Sequence, residues 1–131
     1  MAAVLLDTTV LIDVLRGRPA TVARLLELRA HGDDPWTTAA NVEEVVRGLR
    51  PSELGSAAGL LDALRIVPLG KAEGEMAGTW RREHAEAGRT LSQADCLIAA
   101  AALSLGARLA TGNPGDFPMG DLHVEHWQVG I

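Results

Sequence analysis

The sequence predicts an α/β protein, a three-layer α/β/α sandwich with a mostly parallel central sheet. Short apolar runs of the kind that form buried parallel strands alternate with amphipathic helical segments. The 131 residues leave room for one hydrophobic core, and 47% hydrophobic with 22% charged residues is typical of a globular protein. We therefore expect residues 1–131 to form a single domain.

Each element follows from local sequence pattern. Strands are predicted where short apolar runs lie between turn residues, and helices where apolar residues recur every three or four positions. Asn41 and Ser92 are the expected N-caps of two helices, and Thr8 or Thr9 of the first. In chain order we predict a strand over 3–6, helices over 8–17 and 19–31, a strand over 36–39, helices over 41–49 and 54–64, a strand over 65–69, helices over 71–87 and 92–106, a strand over 108–111, a turn over 113–116 and a strand over 124–129.

Four acidic residues stand at the ends of predicted strands, near the starts of predicted helices or in a turn. They are Asp7, Glu44, Asp95 and Asp116. In an open α/β sheet such junctions converge on one edge, so we expect the four carboxylates to meet there. Acids so placed repel one another unless a cation is present, and oxygen ligands suit Mg²⁺ or Mn²⁺. The pattern predicts a divalent-metal site and cleavage of phosphodiester bonds.

Three of these acids also have purely structural explanations. Glu44 and Asp95 each lie three residues after an expected N-cap, so either acid can belong to a capping box. Asp116 can serve as a turn former in Asn-Pro-Gly-Asp. Asp7 is harder to explain in this way, because an ionised acid that directly follows a buried strand is costly unless a partner compensates it.

Composition restricts the partners and the location. A net charge of −5 is the wrong sign for a protein that coats nucleic acid by general attraction, so an RNA partner must be held by local contacts. Arg81, Arg82 and Arg89 precede the helix of Asp95 and are candidates for such contacts, although arginines on a polar helix are often only solvated. No apolar run approaches the ~18 residues of a membrane span, and we expect no membrane association and a cytoplasmic protein.

Four motifs, in order, resemble those of the PIN-domain ribonucleases, and most closely those of VapC-type toxins from toxin–antitoxin pairs. Val-Leu-Leu-Asp-Thr-Thr at 4–9 is similar to the first family motif, and Asn-Val-Glu-Glu-Val-Val-Arg-Gly at 41–48 to its Thr-x-x-Glu-x-x-x-Gly motif. Asp-Cys-Leu-Ile-Ala at 95–99 resembles its Asp-x-Leu-Ile-Ala helix. Thr-Gly-Asn-Pro-Gly-Asp-Phe at 111–117 is similar to its Thr-x-Asn-x-x-Asp-Phe segment.

This resemblance implies a reaction, a site and partners. The reaction is endoribonucleolytic hydrolysis that leaves 5′-phosphate and 3′-hydroxyl ends and depends on Mg²⁺ or Mn²⁺. The implied partners are an RNA substrate and a cognate VapB-type antitoxin, and we also expect a homodimer. The implied acidic metal site and its polar supports are Asp7, Glu44, Asp95 and Asp116, with Thr9 and Asn113 beside them.

The chain departs from the family pattern at two positions. Asn41 replaces the usual threonine or serine, which is harmless if the residue is a helix cap. Gly112 stands where many relatives have a longer, often basic, side chain, so we expect one substrate contact to be missing. Glu43 lies beside Glu44, but the spacing to Gly48 favours Glu44 as the site residue.

Other classes of protein remain possible from the sequence. A receiver-type signalling domain also gathers acids at the end of a parallel sheet, but it needs a lysine at the end of a late strand, and the only lysine, Lys71, begins a helix. A catalytically silent PIN fold that binds another protein is a stronger alternative, against which the presence of all four acids speaks. A PIN nuclease that processes RNA outside a toxin–antitoxin pair is the third.

Overall fold

Strands and helices alternate along the chain as the sequence predicts. The structure is a computed structural model that describes residues 2–131. Its strands are β1 Ala3–Leu6, β2 Asp34–Thr38, β3 Arg65–Val67, β4 Arg108–Thr111 and β5 Val124–His126. Its α-helices are α1 Thr8–Leu15, α2 Pro19–Ala30, α3 Ala39–Arg47, α4 Leu54–Asp62, α5 Lys71–Glu86 and α6 Gln93–Leu105, and short 3-10 helices cover Pro51–Glu53 and Pro114–Asp116.

The five strands form one parallel sheet in the order β3-β2-β1-β4-β5. The chain starts at the central strand β1, builds outward through β2 and β3, and then crosses to build β4 and β5 on the other side. The order therefore reverses between β1 and β4. Ligands of open α/β sheets bind beyond the carboxyl ends of the strands at such a reversal, and β1 and β4 end there at Leu6 and Thr111.

Helices cover both faces of the sheet. Successive strand side chains point to opposite faces, and Leu5 and Leu109 pack on one side with buried residues of α5 and α6. Val4, Leu6 and Ala110 pack on the other side with residues of α1, α2 and α3. The predicted α/β sandwich with a parallel sheet is confirmed.

Several predicted boundaries were wrong by a few residues. The strand predicted over 36–39 is β2, which begins at Asp34, and the last strand ends at His126 instead of residue 129. The strand predicted over 65–69 ends at Val67. The predicted helix over 54–64 ends at Asp62, and the one over 71–87 ends at Glu86.

The predicted start of α3 was also wrong. Thr38, not Asn41, is the N-cap: the backbone amide of Asn41 donates to Thr38 Oγ1 at 3.3 Å, and the backbone amide of Thr38 donates to Asn41 Oδ1 at 3.2 Å. Both residue types are good caps, but Thr38 ends β2 in an extended conformation, so the strand turns into the helix there. Glu44 consequently lies in the second turn of α3 and has no part in a capping box.

The start of α1 differs in a similar way. Asp7 occupies the N-cap position, without a capping hydrogen bond from its side chain, and Thr8 is already the first helical residue. The Asp7 carboxylate is therefore free to face away from the helix, toward the edge where β1 and β4 end.

Candidate active site

Asp7 is the most deeply buried of the four predicted acids. It follows β1 directly and is only 5% exposed. Thr111 Oγ1 donates to its Oδ2 at 2.7 Å, Asn41 Nδ2 to its Oδ1 at 3.3 Å, and Thr9 Oγ1 to Oδ2 at 3.5 Å. No Lys or Arg in the described part of the chain forms an ion pair with it. The carboxylate is thus fixed by neutral donors and its charge is left uncompensated.

Burial raises the pKa of Asp7 above its usual value. The hydrogen bonds from the Thr111 hydroxyl and the Thr8 backbone lower this pKa, while the negative charges of Glu44 and Asp116 raise it further. The balance is a raised pKa, so the ionised form of Asp7 is disfavoured in the folded chain. A nearby cation would favour the ionised form.

Glu44 is joined to Asp7 through two polar side chains. Thr8 Oγ1 donates to Glu44 Oε1 at 2.9 Å, and Asn41 Nδ2 donates to Thr8 Oγ1 at 3.0 Å. Asn41 is fully buried and its amide contacts both Thr8 and Asp7. One side chain therefore holds Asp7 directly and Glu44 through a hydroxyl.

Asp95 and Asp116 reach the same edge from α6 and from the loop after β4. Ser92 caps α6 by accepting from the Asp95 backbone amide at 3.0 Å, as predicted. Burial raises the pKa of Asp95, and the charges of Asp7, Asp116 and Glu44 raise it further. Asp116 ends the 3-10 helix and is exposed. The negative charges of Glu44 and Asp116 thus act on both Asp7 and Asp95, and that of Asp7 acts on Asp95.

The four acids do not form a closed metal cage. Within residues 2–131, no three His, Cys, Asp or Glu side chains lie close enough together to hold a metal ion between them. Mg²⁺ commonly takes only one or two carboxylates and completes its shell with water and phosphate oxygens. An open set of oxygen donors whose repulsion is uncompensated fits that mode of binding, and does not fit a closed cage for a structural metal.

The sequence pointed to Thr9 and Asn113 as polar supports but overlooked Thr111. Thr9 Oγ1 accepts from the backbone amide of Gly112 at 2.9 Å and reaches Asp7 only weakly. Asn113 donates its backbone amide to Thr111 Oγ1 at 3.0 Å. Thr111, fully buried, makes the shortest contact to Asp7. The register that pairs Leu6 with Ala110 makes Thr111 the neighbour of Asp7, so knowledge of the strand order would have revealed it.

Two of the three candidate arginines have structural partners. Arg81 Nε donates to the carbonyl of Leu91 at 3.1 Å, and the Arg89 guanidinium bonds to the carbonyl of Gly115. The Arg81 contact stabilises the segment that leads into α6, and the Arg89 contact stabilises the loop that carries Asp116. Arg82 is exposed on α5.

The fold and the site define an α/β protein with a carboxylate cluster at the reversal point of a parallel sheet. The PIN domain family model matches residues 4–118, and the chain belongs to the PIN domain family. Ribonuclease VapC19 of Mycobacterium tuberculosis is 32% identical over 115 residues, which cover 88% of this chain and 92% of that protein. Ribonuclease VapC10 of the same organism is 32% identical over 117 residues, covering 88% and 86%.

Solved structures share the fold over nearly the whole chain. The DNA-bound VapBC of Salmonella typhimurium matches with a TM-score of 0.82 at 22% identity, covering 97% of this chain and 99% of that one. FitAcB of Neisseria gonorrhoeae matches with a TM-score of 0.76 at 27% identity, covering 92% and 95%. The predicted family is confirmed. In the described residues, no helix has the length and apolar character needed to cross a membrane.

Proposed function

We propose that this protein is a toxin that hydrolyses RNA phosphodiester bonds with the help of a divalent metal ion and is neutralised by a VapB-type antitoxin. The observation that carries the proposal is the convergence of acids beyond the ends of β1 and β4: Asp7 is buried without an ion pair, and the negative charges of Glu44 and Asp116 raise the pKa of both Asp7 and Asp95. Its relatives named Ribonuclease VapC support the activity, and the VapBC complexes support the partner. A silent binding module has no need for a buried acid whose ionised form is disfavoured.

Asp7 and Asp95 are the proposed ligands of Mg²⁺ or Mn²⁺, directly or through water. Burial and the negative charges of neighbouring acids raise the pKa of both groups, and a cation relieves both effects. Glu44 and Asp116 complete the pocket. Nucleases of this family generally depend on a divalent metal, and the choice between the two ions is part of the proposal.

The residues of the chain position the reacting groups, and a bound metal ion would supply the positive charge that faces the phosphate. When bound, the metal neutralises phosphate oxygens and promotes ionisation of a water molecule. Thr111 and Asn41 fix Asp7, so that its carboxylate keeps one orientation. Thr8 engages one oxygen of Glu44, which leaves the other to orient the attacking water and accept its proton. Hydrolysis in this arrangement is proposed to leave 5′-phosphate and 3′-hydroxyl ends.

Local positive charge is proposed to hold the RNA, because the net charge of −5 opposes general attraction to phosphate. Arg82 is exposed and available for such a contact. Arg81 and Arg89 combine a structural bond with a place beside the segments that carry Asp95 and Asp116, so their remaining N–H groups are proposed to meet phosphate.

A cleavage assay with purified protein tests the enzymatic proposal. RNA should be cut when Mg²⁺ or Mn²⁺ is present and left intact in chelator, and Asp95→Asn should be inactive. Asp121→Asn is the matched control, since Asp121 is an exposed acid outside the cluster, and it should cut RNA as the parent does. Cutting that persists in chelator, or in Asp95→Asn, would overturn the metal mechanism.

Expression experiments separate the toxin from a processing nuclease with the same site. Expression of the parent should arrest growth, Asp95→Asn should not, and co-expression of the cognate antitoxin should restore growth. Harmless expression of a soluble and active chain would favour RNA processing outside a toxin–antitoxin pair.

A further inference from the structure

A short segment beyond β5 packs against the carboxyl end of β4, beside the acidic site. We call residues 127–130 the strap. The strap begins where the backbone amide of Trp127 donates to the carbonyl of Thr111 at 2.9 Å, directly beside the site. It ends where the backbone amide of Gly130 donates to both carboxylate oxygens of Asp13, at 3.2 and 3.0 Å. Both of its ends are thus hydrogen-bonded to the body of the protein.

Asp13 anchors the strap from inside the fold. It lies in α1, is only 6% exposed, and also accepts from Thr21 Oγ1 of α2 at 2.8 Å. No Lys or Arg in residues 2–131 forms an ion pair with it. A buried carboxylate needs hydrogen-bond donors, and Gly130 supplies one of them. The strap and the anchor therefore stabilise each other.

Val129, inside the strap, packs closely against Gly112, the residue that follows the carboxyl end of β4. A Cβ atom at residue 112 would lie 2.5 and 2.9 Å from the two Val129 methyl groups and 3.2 Å from Thr9 Oγ1. Cβ atoms essentially never approach other atoms to under 3.0 Å, so the Val129 side chain would have to shift to admit any side chain at 112. Glycine is required here by the strap and not by the backbone, because the φ angle of Gly112 is not in the left-handed region.

Gly112 in turn connects the strap to the proposed metal ligand. Its backbone amide donates to Thr9 Oγ1 at 2.9 Å, and Thr9 Oγ1 reaches Asp7 Oδ2. The residues on either side belong to the site: Thr111 holds Asp7, and Asn113 begins the loop that ends at Asp116. A shift of Gly112 would therefore move the supports of two of the four acids.

We propose that the strap positions the active site: Val129, held in place through Asp13, fixes Gly112 and thereby the supports of Asp7 and the loop of Asp116. The catalytic consequence rests on the proposed function, whereas the packing of the strap does not. Val129, Gly112 and Asp13 are positioning residues, since none of them has to contact substrate. The strap also fills the space that a longer side chain at 112 would occupy, so this side of the site is bounded by an apolar valine.

A double-mutant cycle tests the proposal. Gly112→Ala should shift Val129 and lower kcat for RNA cleavage and the affinity for Mn²⁺ by about tenfold to a hundredfold, the range typical when the groups that orient metal ligands are disturbed. Val129→Ala alone removes the contact that fixes Gly112 and should lower both quantities. Gly112→Ala combined with Val129→Ala removes the clash and refills the space with the new methyl group, so the double variant should recover most of both losses. Gly120→Ala is the control, because a Cβ there meets nothing within 4 Å.

Hydrogen exchange of the Gly112 amide reads the strap without RNA or metal. Exchange of the backbone amide at position 112 should be faster in Gly112→Ala than in the parent and should return toward the parent rate in the double variant. In the cleavage assay, Gly112→Ala should change KM for RNA much less than kcat. Parent-like exchange, kcat and Mn²⁺ affinity in Gly112→Ala, or a double variant no better than the single one, would overturn the proposal. If the parent itself neither binds Mn²⁺ nor cuts RNA, the proposed function fails, and the exchange data alone still decide whether the strap holds Gly112.

Discussion

Replacing Thr111 by valine removes the shortest hydrogen bond to Asp7 while keeping the shape of the side chain. Thr111 Oγ1 lies 2.7 Å from Asp7 Oδ2 and also accepts from the Asn113 backbone amide at 3.0 Å. Thr111→Val therefore takes a donor from a buried carboxylate and an acceptor from a backbone amide. Thr37→Val is the matched control, because Thr37 is equally buried but donates at 3.3 Å to a neutral acceptor, the carbonyl of Leu6.

The two variants should differ in stability at neutral pH. A hydrogen bond to a charged group contributes about 1.5–3 kcal/mol, and a neutral one about 0.5–1.5 kcal/mol. For a domain of this size, 1 kcal/mol corresponds to a change in Tm of about 3–5 °C. Thr111→Val should thus lower Tm by about 4–15 °C and Thr37→Val by about 2–8 °C. Thermal unfolding followed by circular dichroism measures both.

The pH dependence gives a sharper test than the size of the effect. The Thr111 hydroxyl lowers the pKa of Asp7, so its removal raises that pKa further above its value in the unfolded chain. An acid with a raised pKa in the folded state costs stability above that pKa, and the cost disappears when the acid is protonated. The destabilisation of Thr111→Val should therefore shrink as the pH falls, and that of Thr37→Val should stay constant.

Equal losses in the two variants, with the same pH dependence, would refute the reasoning. They would mean that Asp7 is not held as an ionised group by Thr111. Cleavage should separate the variants as well, since Thr111→Val should cut RNA more slowly and Thr37→Val should match the parent.

Three further predictions concern the neighbourhood of the site and the edge strand β5. Asn41→Leu should weaken Mn²⁺ binding in calorimetry, because the amide contacts two site residues, and Asn41→Thr should retain part of the affinity. Arg82→Ala should weaken RNA binding and flatten a log-affinity against log-salt slope of about −2 to −3 without changing Tm, whereas Arg81→Ala should also lower Tm. Burial raises the pKa of Glu125, but the hydrogen bond from Trp127 and the charges of Arg108 and Arg24 outweigh burial and lower that pKa. Glu125→Gln should therefore be less stable than the parent at neutral pH. Urea titrations should show this difference in stability fading as the pH falls below about 4.

The position of Asp7 was predictable because it depends on local pattern and topology. An apolar run that stops at an acid marks the end of a buried strand, and alternating strands and helices imply that such ends share one edge. Ser92 as the cap of α6 was predictable for the same reason, since capping is local. Asn41 was misassigned because Thr38 is also a good cap, and sequence does not say where the strand before it ends.

Contacts between distant parts of the chain were beyond the sequence. Thr111 and Asp7 are 104 residues apart, and Gly130 and Asp13 are 117 apart. They meet because β4 adds beside β1 and the chain returns after β5, which local pattern does not determine. Gly112 suggested a missing substrate contact in the sequence, and only the packing of Val129 shows why a side chain is excluded there.

Mapping the ends of a cleaved RNA tests the central claim most directly. A defined RNA is incubated with the parent and with Asp95→Asn, each with Mn²⁺ and with chelator. The new ends are sequenced by a method that requires a 5′-phosphate, with and without prior phosphorylation of the RNA, so that 5′-hydroxyl ends are detected as well. New ends with 5′-phosphates should arise only with the parent in Mn²⁺. Ends that arise equally in chelator or with Asp95→Asn, or ends that carry a 5′-hydroxyl, would contradict a metal-dependent hydrolysis carried out by the four acids.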